Sequence, residues 1–219
     1  MTHAWALKAF DPDQPRVPAG GVGGGRWTAA AGEASSTPES FGAQYPALEG
    51  AQRESVEGYC NNDYAEINGM LRGYYTPPDE WHYPQKQMSR PGLEARVAAM
   101  DAAMRPMPSD MVLYRGMSID WDAGDDAPQP TLFSNVGETG IEDGYTSASL
   151  TPNLSQIEMG DFMVELHVPA GTPSVWAAPY SRHRSEQEVI LGRGLSLTIT
   201  DYREGTGGAK SVIVAKVNR

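Results

Sequence analysis

The segment SEQEVILGRG contains two glutamates, Glu186 and Glu188, at the start of an apolar run that is typical of a β-strand. Residues two apart on a strand project from the same face, so the strand period predicts that both carboxylates share one small space. Two carboxylates held together repel each other, and one use for such a pair is in sugar chemistry with a polarised bond. Taken alone, an alternating glutamate pair is more often part of an exposed strand face than of an active site.

Two further segments offer polar groups that could act with the glutamates. VLYRGM places Arg115 at the end of an apolar strand, and GYTSASL places Ser147 and Ser149 two residues apart. Strand alternation predicts that both serines face the same side. Taken singly, a strand-end arginine is usually a surface charge, and the serines are ordinary polar positions.

The elements that would position these residues follow from the periodicity of apolar side chains. Apolar residues recur at helical offsets from Leu48 to Tyr74, and the prolines of residues 76–78 end this helix because proline cannot continue the hydrogen-bond ladder. A second helix is predicted from Ser89 to Arg105. The period then changes to that of a strand, and seven strands are predicted: Met111–Arg115, Tyr145–Ser149, Phe162–Val168, Ser174–Ala178, Gln187–Leu191, Leu195–Tyr202 and Ser211–Val217.

Two helical segments followed by a run of short strands are typical of the α+β class, so we expect N-terminal helices packed on two antiparallel β-sheets. The sequence contains no glycine-rich fingerprint of a dinucleotide-binding Rossmann fold. Residues 1–46 are rich in glycine and proline and have almost no periodic apolar positions. They predict a flexible N-terminal arm, followed by one folded domain over residues 47–219.

Charge and composition exclude several classes of function. The 28 acidic and 17 basic residues give a formal net charge of −11, which disfavours broad nucleic-acid binding. A single cysteine, Cys60, excludes an internal disulfide and a multi-cysteine zinc site, and its pattern fits a packed or half-exposed thiol on a helix. The four histidines lack metal-ligand spacing, so no metal is expected. Without a recognisable signal peptide or transmembrane segment, we expect a cytoplasmic protein that does not bind membranes.

In the order arginine, serine pair and glutamate pair, these residues resemble the arginine–serine–glutamate class of ADP-ribosylating toxins. The stretch ELHVPAGTPSVWAAPYSRHRSEQEVILGRG is similar to that family's strand, turn, second strand, target-recognition loop and glutamate strand. Upstream, INGMLRG is similar to its NAD-binding helix motif. The resemblance implies two sheets that meet across an NAD cleft, and an enzyme that transfers ADP-ribose from NAD to a protein side chain with release of nicotinamide.

Carried over by position, the resemblance implies contacts with NAD. Arg115 would hold the diphosphate and the nicotinamide ribose, and the Gly116 backbone would face the nicotinamide amide. Asn68 and Arg72 lie four residues apart and so on one helix face. They would contact the adenosine side and a phosphate.

The resemblance also implies the catalytic roles. Ser147 and Glu188 would also help to bind NAD: Ser147 would orient Glu188, and Glu188 would grip the 2'-hydroxyl of the nicotinamide ribose. Glu188 would also stabilise the positive charge that develops as nicotinamide leaves. Glu186 would orient or deprotonate the acceptor, and a glutamate at this position goes with arginine acceptors in the family. Tyr180 would touch the target protein. The family's Ser-Thr-Ser motif is altered here at Ala148, whose side chain should point to the opposite face of the strand.

The N-terminal stretch DQPRVPAGGVGGGRWT resembles a glycine-rich segment of tailed-phage head and portal-associated proteins. This resemblance implies a phage or prophage enzyme that modifies proteins in a host cytoplasm, with the arm serving association with the virion. Two other functions stay open: an NAD glycohydrolase, in which water replaces the acceptor, and a non-catalytic virion or interaction protein with this fold. A secreted effector that uses another export route also fits.

Overall fold

The computed structural model describes residues 37–73, 88–117, 136–152, 162–205 and 210–218. The folded unit begins at Thr37, not near residue 47, because the segment predicted as the end of the arm contributes to the core. Phe41 in this segment is fully buried, and its ring packs edge-on against Trp176 with the centroids 5.5 Å apart. The rest of the predicted arm, residues 1–36, lies outside the described residues.

The α-helices that the structure describes lie in the N-terminal half of the folded unit. Thr37 caps the first of them, accepting a hydrogen bond of 3.2 Å from the Ser40 amide. The predicted helix from Leu48 to Tyr74 is divided into two α-helices by one π-helical turn, Tyr59–Asp63. The α-helices are α1 (Pro38–Gly42), α2 (Gly50–Gly58), α3 (Tyr64–Leu71) and α4 (Arg90–Ala103). Among the described residues, no helix combines the length and apolar character that crossing a membrane requires.

All seven predicted strands are present, with bounds that differ by a few residues at most, and two short strands were not predicted. Within the described ranges the nine strands are β1 (Arg105–Pro106), β2 (Met111–Met117), β3 (Thr139–Glu142), β4 (Thr146–Ser149), β5 (Phe162–Val168), β6 (Pro173–Trp176), β7 (Glu188–Leu191), β8 (Leu195–Arg203) and β9 (Ser211–Val217). The α+β class is therefore confirmed.

The strands form one hydrogen-bonded array in the order β1-β6-β7-β4-β2-β5-β9-β8-β3, where two antiparallel sheets were predicted. The array is nearly divided between β2 and β4, which share a single paired position, Tyr114 with Ser149. All other neighbours are antiparallel except β5 and β9, which run parallel. The two expected sheets thus correspond to the two sides of this weak junction, where the strands carrying Arg115 and Ser147 meet.

Strand β7 lies in the core, with all four of its residues buried. Val189 and Leu191 belong to one apolar cluster, whereas Ile190 belongs to the other cluster together with side chains of α2, α3 and α4. Strand alternation therefore places Glu188, like Ile190, on the face that is covered by the helices. This packing brings α2, α3 and α4, which we call the helical layer, next to the predicted catalytic carboxylate.

Candidate active site

Ser147 and Glu188 form the central contact of the site. The Ser147 hydroxyl donates a hydrogen bond of 2.5 Å to the Glu188 Oε1 atom. In the β4–β7 ladder Ser147 lies opposite Ile190 and Ser149 lies opposite Glu188, so the two bonded residues are diagonal neighbours on one face. The serine spacing of two therefore has the geometry that strand alternation predicts.

Glu188 is a buried acid, with only 8% of its surface exposed. Burial raises the pKa of its carboxyl, because the charged form loses hydration. Hydrogen bonds from Ser147 and Cys60, together with the positive charges of Arg115 and His183, oppose this rise without cancelling it. A carboxylate that is poorly hydrated and held in place is suited to stabilise positive charge that develops in a bound substrate.

Arg115 spans the junction between β2 and β4. Its Nη1 atom donates a hydrogen bond of 3.2 Å to the Ser147 carbonyl oxygen. Within the described part of the chain this is the single hydrogen bond of the guanidinium, so most of its donors can bind a ligand. Gly116 follows in β2, where it pairs with Met163 of β5. The predicted convergence of Arg115, Ser147 and Glu188 on one place is thus observed.

The position of Glu186 corrects the argument that placed both glutamates on one strand face. Strand β7 begins at Glu188, whereas Glu186 ends a 3₁₀ turn, Arg184–Glu186. Gln187 between them has a φ of 50°, the left-handed conformation that a non-glycine residue seldom adopts. Strand alternation therefore does not relate the two side chains. Their common neighbour is Cys60, whose pKa is raised by burial and by the charges of both glutamates.

Sequence reasoning missed the part that the π-helical turn plays. Its residue Cys60 lies close enough to Glu188 to lower the pKa of that carboxyl, and the buried hydroxyl of its first residue, Tyr59, donates a bond of 3.1 Å to the Tyr145 carbonyl oxygen. Burial raises the pKa of Tyr59 and keeps it neutral. The apolar periodicity of this region gives no signal for a π-turn, which adds one residue to a helical turn without changing the residue types.

Asn68 joins α3 to the strand that carries Ser147. Its side-chain oxygen accepts a hydrogen bond of 2.9 Å from the Tyr145 amide, and its Nδ2 atom donates to the Tyr145 carbonyl oxygen and to the Tyr59 hydroxyl. The side chain is 5% exposed. This amide therefore fixes the start of β4, and the adenosine contact that the resemblance implies stays a prediction.

Arg72, the second helix residue expected at NAD, is paired with a carboxylate. Its Nε atom lies 2.9 Å from Glu142 Oε1, and the same oxygen accepts a hydrogen bond from the Gly144 amide. Both side chains of the pair are about four-fifths buried (22% and 19% exposed). Its implied phosphate contact stays a prediction, since a phosphate there would have to share the guanidinium with Glu142.

Tyr180 lies in the loop that leads to the glutamates and is half-buried. Its hydroxyl accepts a hydrogen bond of 2.7 Å from the Leu48 amide, just before α2. The implied contact with a target protein stays a prediction, and the bond shows that one end of the loop is attached to the helical layer. Among the described residues, no cluster of three or more potential metal ligands occurs.

Comparison with known proteins agrees with this geometry. The sequence matches the family described as "ADP-ribosyltransferase exoenzyme" over residues 38–218. No curated protein sequence matches the chain at a significant level.

Several solved structures share the fold. The C3 exoenzyme of Clostridium limosum is 21% identical, with a TM-score of 0.62, and the match covers 83% of this chain and 91% of that one. Plx2a, an ADP-ribosyltransferase toxin from Paenibacillus larvae, is 19% identical, with a TM-score of 0.64 and coverage of 83% and 95%. C3stau2 from S. aureus, solved with NAD, is 16% identical, with a TM-score of 0.63 and coverage of 83% and 94%. At these identities the likeness establishes the fold.

Proposed function

Because the chain belongs to the ADP-ribosyltransferase exoenzyme family, we propose that it transfers one ADP-ribose from NAD to an arginine side chain of another protein. The observation that carries the proposal is the Ser147–Glu188 hydrogen bond, with Arg115 bonded to the same serine from across the β2–β4 junction. A buried carboxylate, a hydroxyl and a guanidinium with spare donors are thereby brought to one place.

These residues fit the demands of binding NAD as a substrate. The Arg115 guanidinium can pair with a phosphate oxygen, an interaction that suits its planar, multi-donor group. The Glu188 carboxylate can accept a hydrogen bond from a ribose hydroxyl while Ser147 holds its other oxygen. The Gly116 backbone, next to Arg115 in β2, would face the nicotinamide amide. Asn68 and Arg72 would act on the adenosine side from α3 and its end.

In the proposed reaction, the bond between the ribose carbon and the nicotinamide nitrogen breaks, and its electron pair stays on the nitrogen. The positive charge on the ring is thereby neutralised, while positive charge develops at the ribose carbon, where the negative charge of Glu188 stabilises it. An arginine nitrogen of the target then forms the new bond, and its proton passes to Glu186. The half-buried Glu186, at the end of the 3₁₀ turn, lies two residues before Glu188 and can serve this purpose.

The experiment that tests the proposal uses NAD labelled in the adenylate part. The protein is incubated with it alone, with agmatine as a small guanidinium acceptor, and with a bacterial lysate. We expect labelled agmatine and labelled lysate protein, and identification of the modified residue by mass spectrometry should give arginine. Free ADP-ribose without any labelled acceptor would instead indicate an NAD glycohydrolase, and no turnover of NAD would indicate a non-catalytic protein. The phage origin and the association with the virion stay predictions.

A further inference from the structure

The loop before the glutamates forms, together with α2, a cavity of about 370 Å³. Its lining includes Arg53 and Glu57 of α2, and Tyr180, Arg182 and Arg184 of the loop. We call it the arginine cavity. Three guanidinium groups and one carboxylate give its lining a net positive charge, although the whole chain carries −11. A positive site on an acidic protein attracts anionic groups locally while the rest of the surface repels them.

The backbone of this loop is held by hydrogen bonds to the helical layer. The Asn61 side chain accepts a bond of 3.0 Å from the Arg182 amide and donates one of 3.4 Å to the Tyr180 carbonyl oxygen. Within the loop, Ser181 Oγ accepts a bond of 3.1 Å from the His183 amide. These bonds fix the backbone that carries the arginines. Binding of a ligand would therefore cost less conformational entropy of the loop.

The positive groups of the arginine cavity are weakly neutralised by the protein itself. The Arg53 Nε atom lies 3.9 Å from Glu57 Oε2, and 61% and 51% of the two side chains are exposed. Such an exposed ion pair contributes little to stability. The side chains of Arg182 and Arg184 are exposed, and in the described part of the chain neither guanidinium takes part in an ion pair. The positive charge of the arginine cavity can therefore attract an anionic partner.

The location of the cavity identifies the kind of partner. Arg184 begins the 3₁₀ turn that ends at Glu186, so the cavity adjoins the place where the acceptor side chain would arrive. An acceptor arginine is itself cationic, and three neighbouring arginines would repel it unless the target brings negative charge. We propose that the arginine cavity binds an acidic segment of the target protein that flanks the acceptor residue. This inference rests on the proposed transfer to a protein side chain.

The test compares peptides that contain one arginine flanked either by glutamates or by serines. We expect the kcat/KM for modification of the acidic peptide to be about tenfold higher at low salt, and the difference to shrink at high salt because exposed charges are screened. Agmatine, which has no flanking residues, serves as the reference acceptor. Equal use of the two peptides would overturn the proposal.

Three charge-reversal variants distinguish binding at the arginine cavity from an effect of the net charge of the protein. Arg53→Glu and Arg182→Glu should each remove most of the preference for the acidic peptide. Arg90→Glu is the matched control, since Arg90 is also 61% exposed on a helix and pairs with a glutamate four residues on. All three variants should hydrolyse NAD with an unchanged KM. Loss of preference in Arg90→Glu as well, or a raised KM for NAD in the other two, would contradict docking of an acidic segment.

Binding of a fluorescent glutamate-rich peptide that lacks arginine tests the cavity apart from the chemistry. We expect wild type and Arg90→Glu to bind this peptide, and Arg53→Glu and Arg182→Glu to bind it more weakly. If agmatine is not modified but the peptide binds in this pattern, arginine transfer is wrong and the arginine cavity stands. If agmatine is modified and no variant differs in peptide binding, the proposed function stands and the acidic partner is wrong.

Discussion

Ser147 donates a hydrogen bond of 2.5 Å to Glu188 from the neighbouring strand, in a place where burial works against the charge of that glutamate. Burial raises the pKa of Glu188, and the serine hydrogen bond lowers it. The serine therefore increases the fraction of Glu188 that is ionised at a given pH. It also fixes the direction of the carboxylate.

Replacing Ser147 with alanine should shift the pH dependence of NAD hydrolysis. Without the hydroxyl, the pKa of Glu188 rises further, since the hydrogen bond that favours the charged form is gone. Activity needs the ionised form, so the acidic limb of the kcat/KM profile should move to higher pH in Ser147→Ala. The measurement is a pH profile of nicotinamide release.

Ser149→Ala is the control for this experiment. Ser149 lies directly opposite Glu188 in the ladder, but its hydroxyl oxygen accepts a hydrogen bond of 3.0 Å from the Thr151 amide. Its loss should leave the acidic limb in place. An equal shift in both variants would mean that the strand, and not the Ser147 hydroxyl, sets the pKa of Glu188.

Replacing Glu188 with glutamine should abolish both transfer and NAD hydrolysis. Glutamine keeps the size and one oxygen acceptor for Ser147, but it has no negative charge for the developing cation. Loss of one such electrostatic group costs about 10²–10³ in rate. Nicotinamide release and agmatine labelling measure the two activities, and circular dichroism should show an intact fold. Activity within a few-fold of wild type would rule out the proposed role.

The same variant should gain stability at neutral pH. A buried acid with a raised pKa stabilises the folded protein fully below its unfolded pKa, and this contribution is lost as the pH rises through the folded value. Glutamine does not titrate, so urea unfolding should give Glu188→Gln a higher free energy of unfolding at pH 7. The difference should shrink as the pH falls through the raised folded value, and it should reach its minimum below about 4.3, the ordinary glutamate value. If the difference in the free energy of unfolding does not change with pH, ionisation of Glu188 does not destabilise the folded protein.

Much of the architecture could be predicted from the sequence because it depends on periodicity. The apolar alternation in FMVELHV gives Phe162–Val168 with the observed bounds, and the spacing of Ser147 and Ser149 gives their shared face. Alternation failed at Glu186 because it assumes an unbroken strand. The left-handed Gln187 ends the 3₁₀ turn just before the strand, and no residue preference marks that conformation for glutamine.

The long-range contacts around the site could not be predicted, since they depend on how the helical layer sits on the sheet. The helix face of Asn68 and its position in the family motif predict a contact with NAD. In the structure its amide bonds to Tyr145, 77 residues away in sequence. A buried asparagine whose donors and acceptor are all used by the protein has the same sequence pattern as one that binds a ligand.

Replacing Asn68 with alanine should destabilise the domain. The buried amide and carbonyl groups of Tyr145 and the Tyr59 hydroxyl would each lose a partner, and the expected cost is about 2–4 kcal/mol in the free energy of unfolding. Asn62→Ala is the control, because Asn62 is exposed on the π-helical turn and should change stability by less than about 0.5 kcal/mol. Equal stability of the two variants would show that the Asn68 bonds do not hold β4 in place. Urea denaturation measures both.

Replacing Glu186 with glutamine should separate the two activities that Glu188 supports together. The expected result is that transfer to agmatine falls by about 10²–10⁴ while NAD hydrolysis stays within a few-fold of wild type. A guanidinium is protonated in solution and must lose a proton as it attacks, whereas water needs little orientation. Glutamine keeps the size of the side chain but cannot take the proton.

The left-handed conformation of Gln187 separates Glu186 from strand β7, so this experiment also tests whether the two glutamates act separately. Glu186 and Glu188 do not lie on one strand face, because Glu186 ends the 3₁₀ turn and Glu188 begins β7. Both activities should be measured on one preparation, with Arg90→Gln as a surface control. Equal loss of transfer and hydrolysis would mean that the two glutamates act together on the ribose. Equal retention of transfer to agmatine and of hydrolysis would mean that Glu186 is a surface carboxylate and not the base that acts on the acceptor.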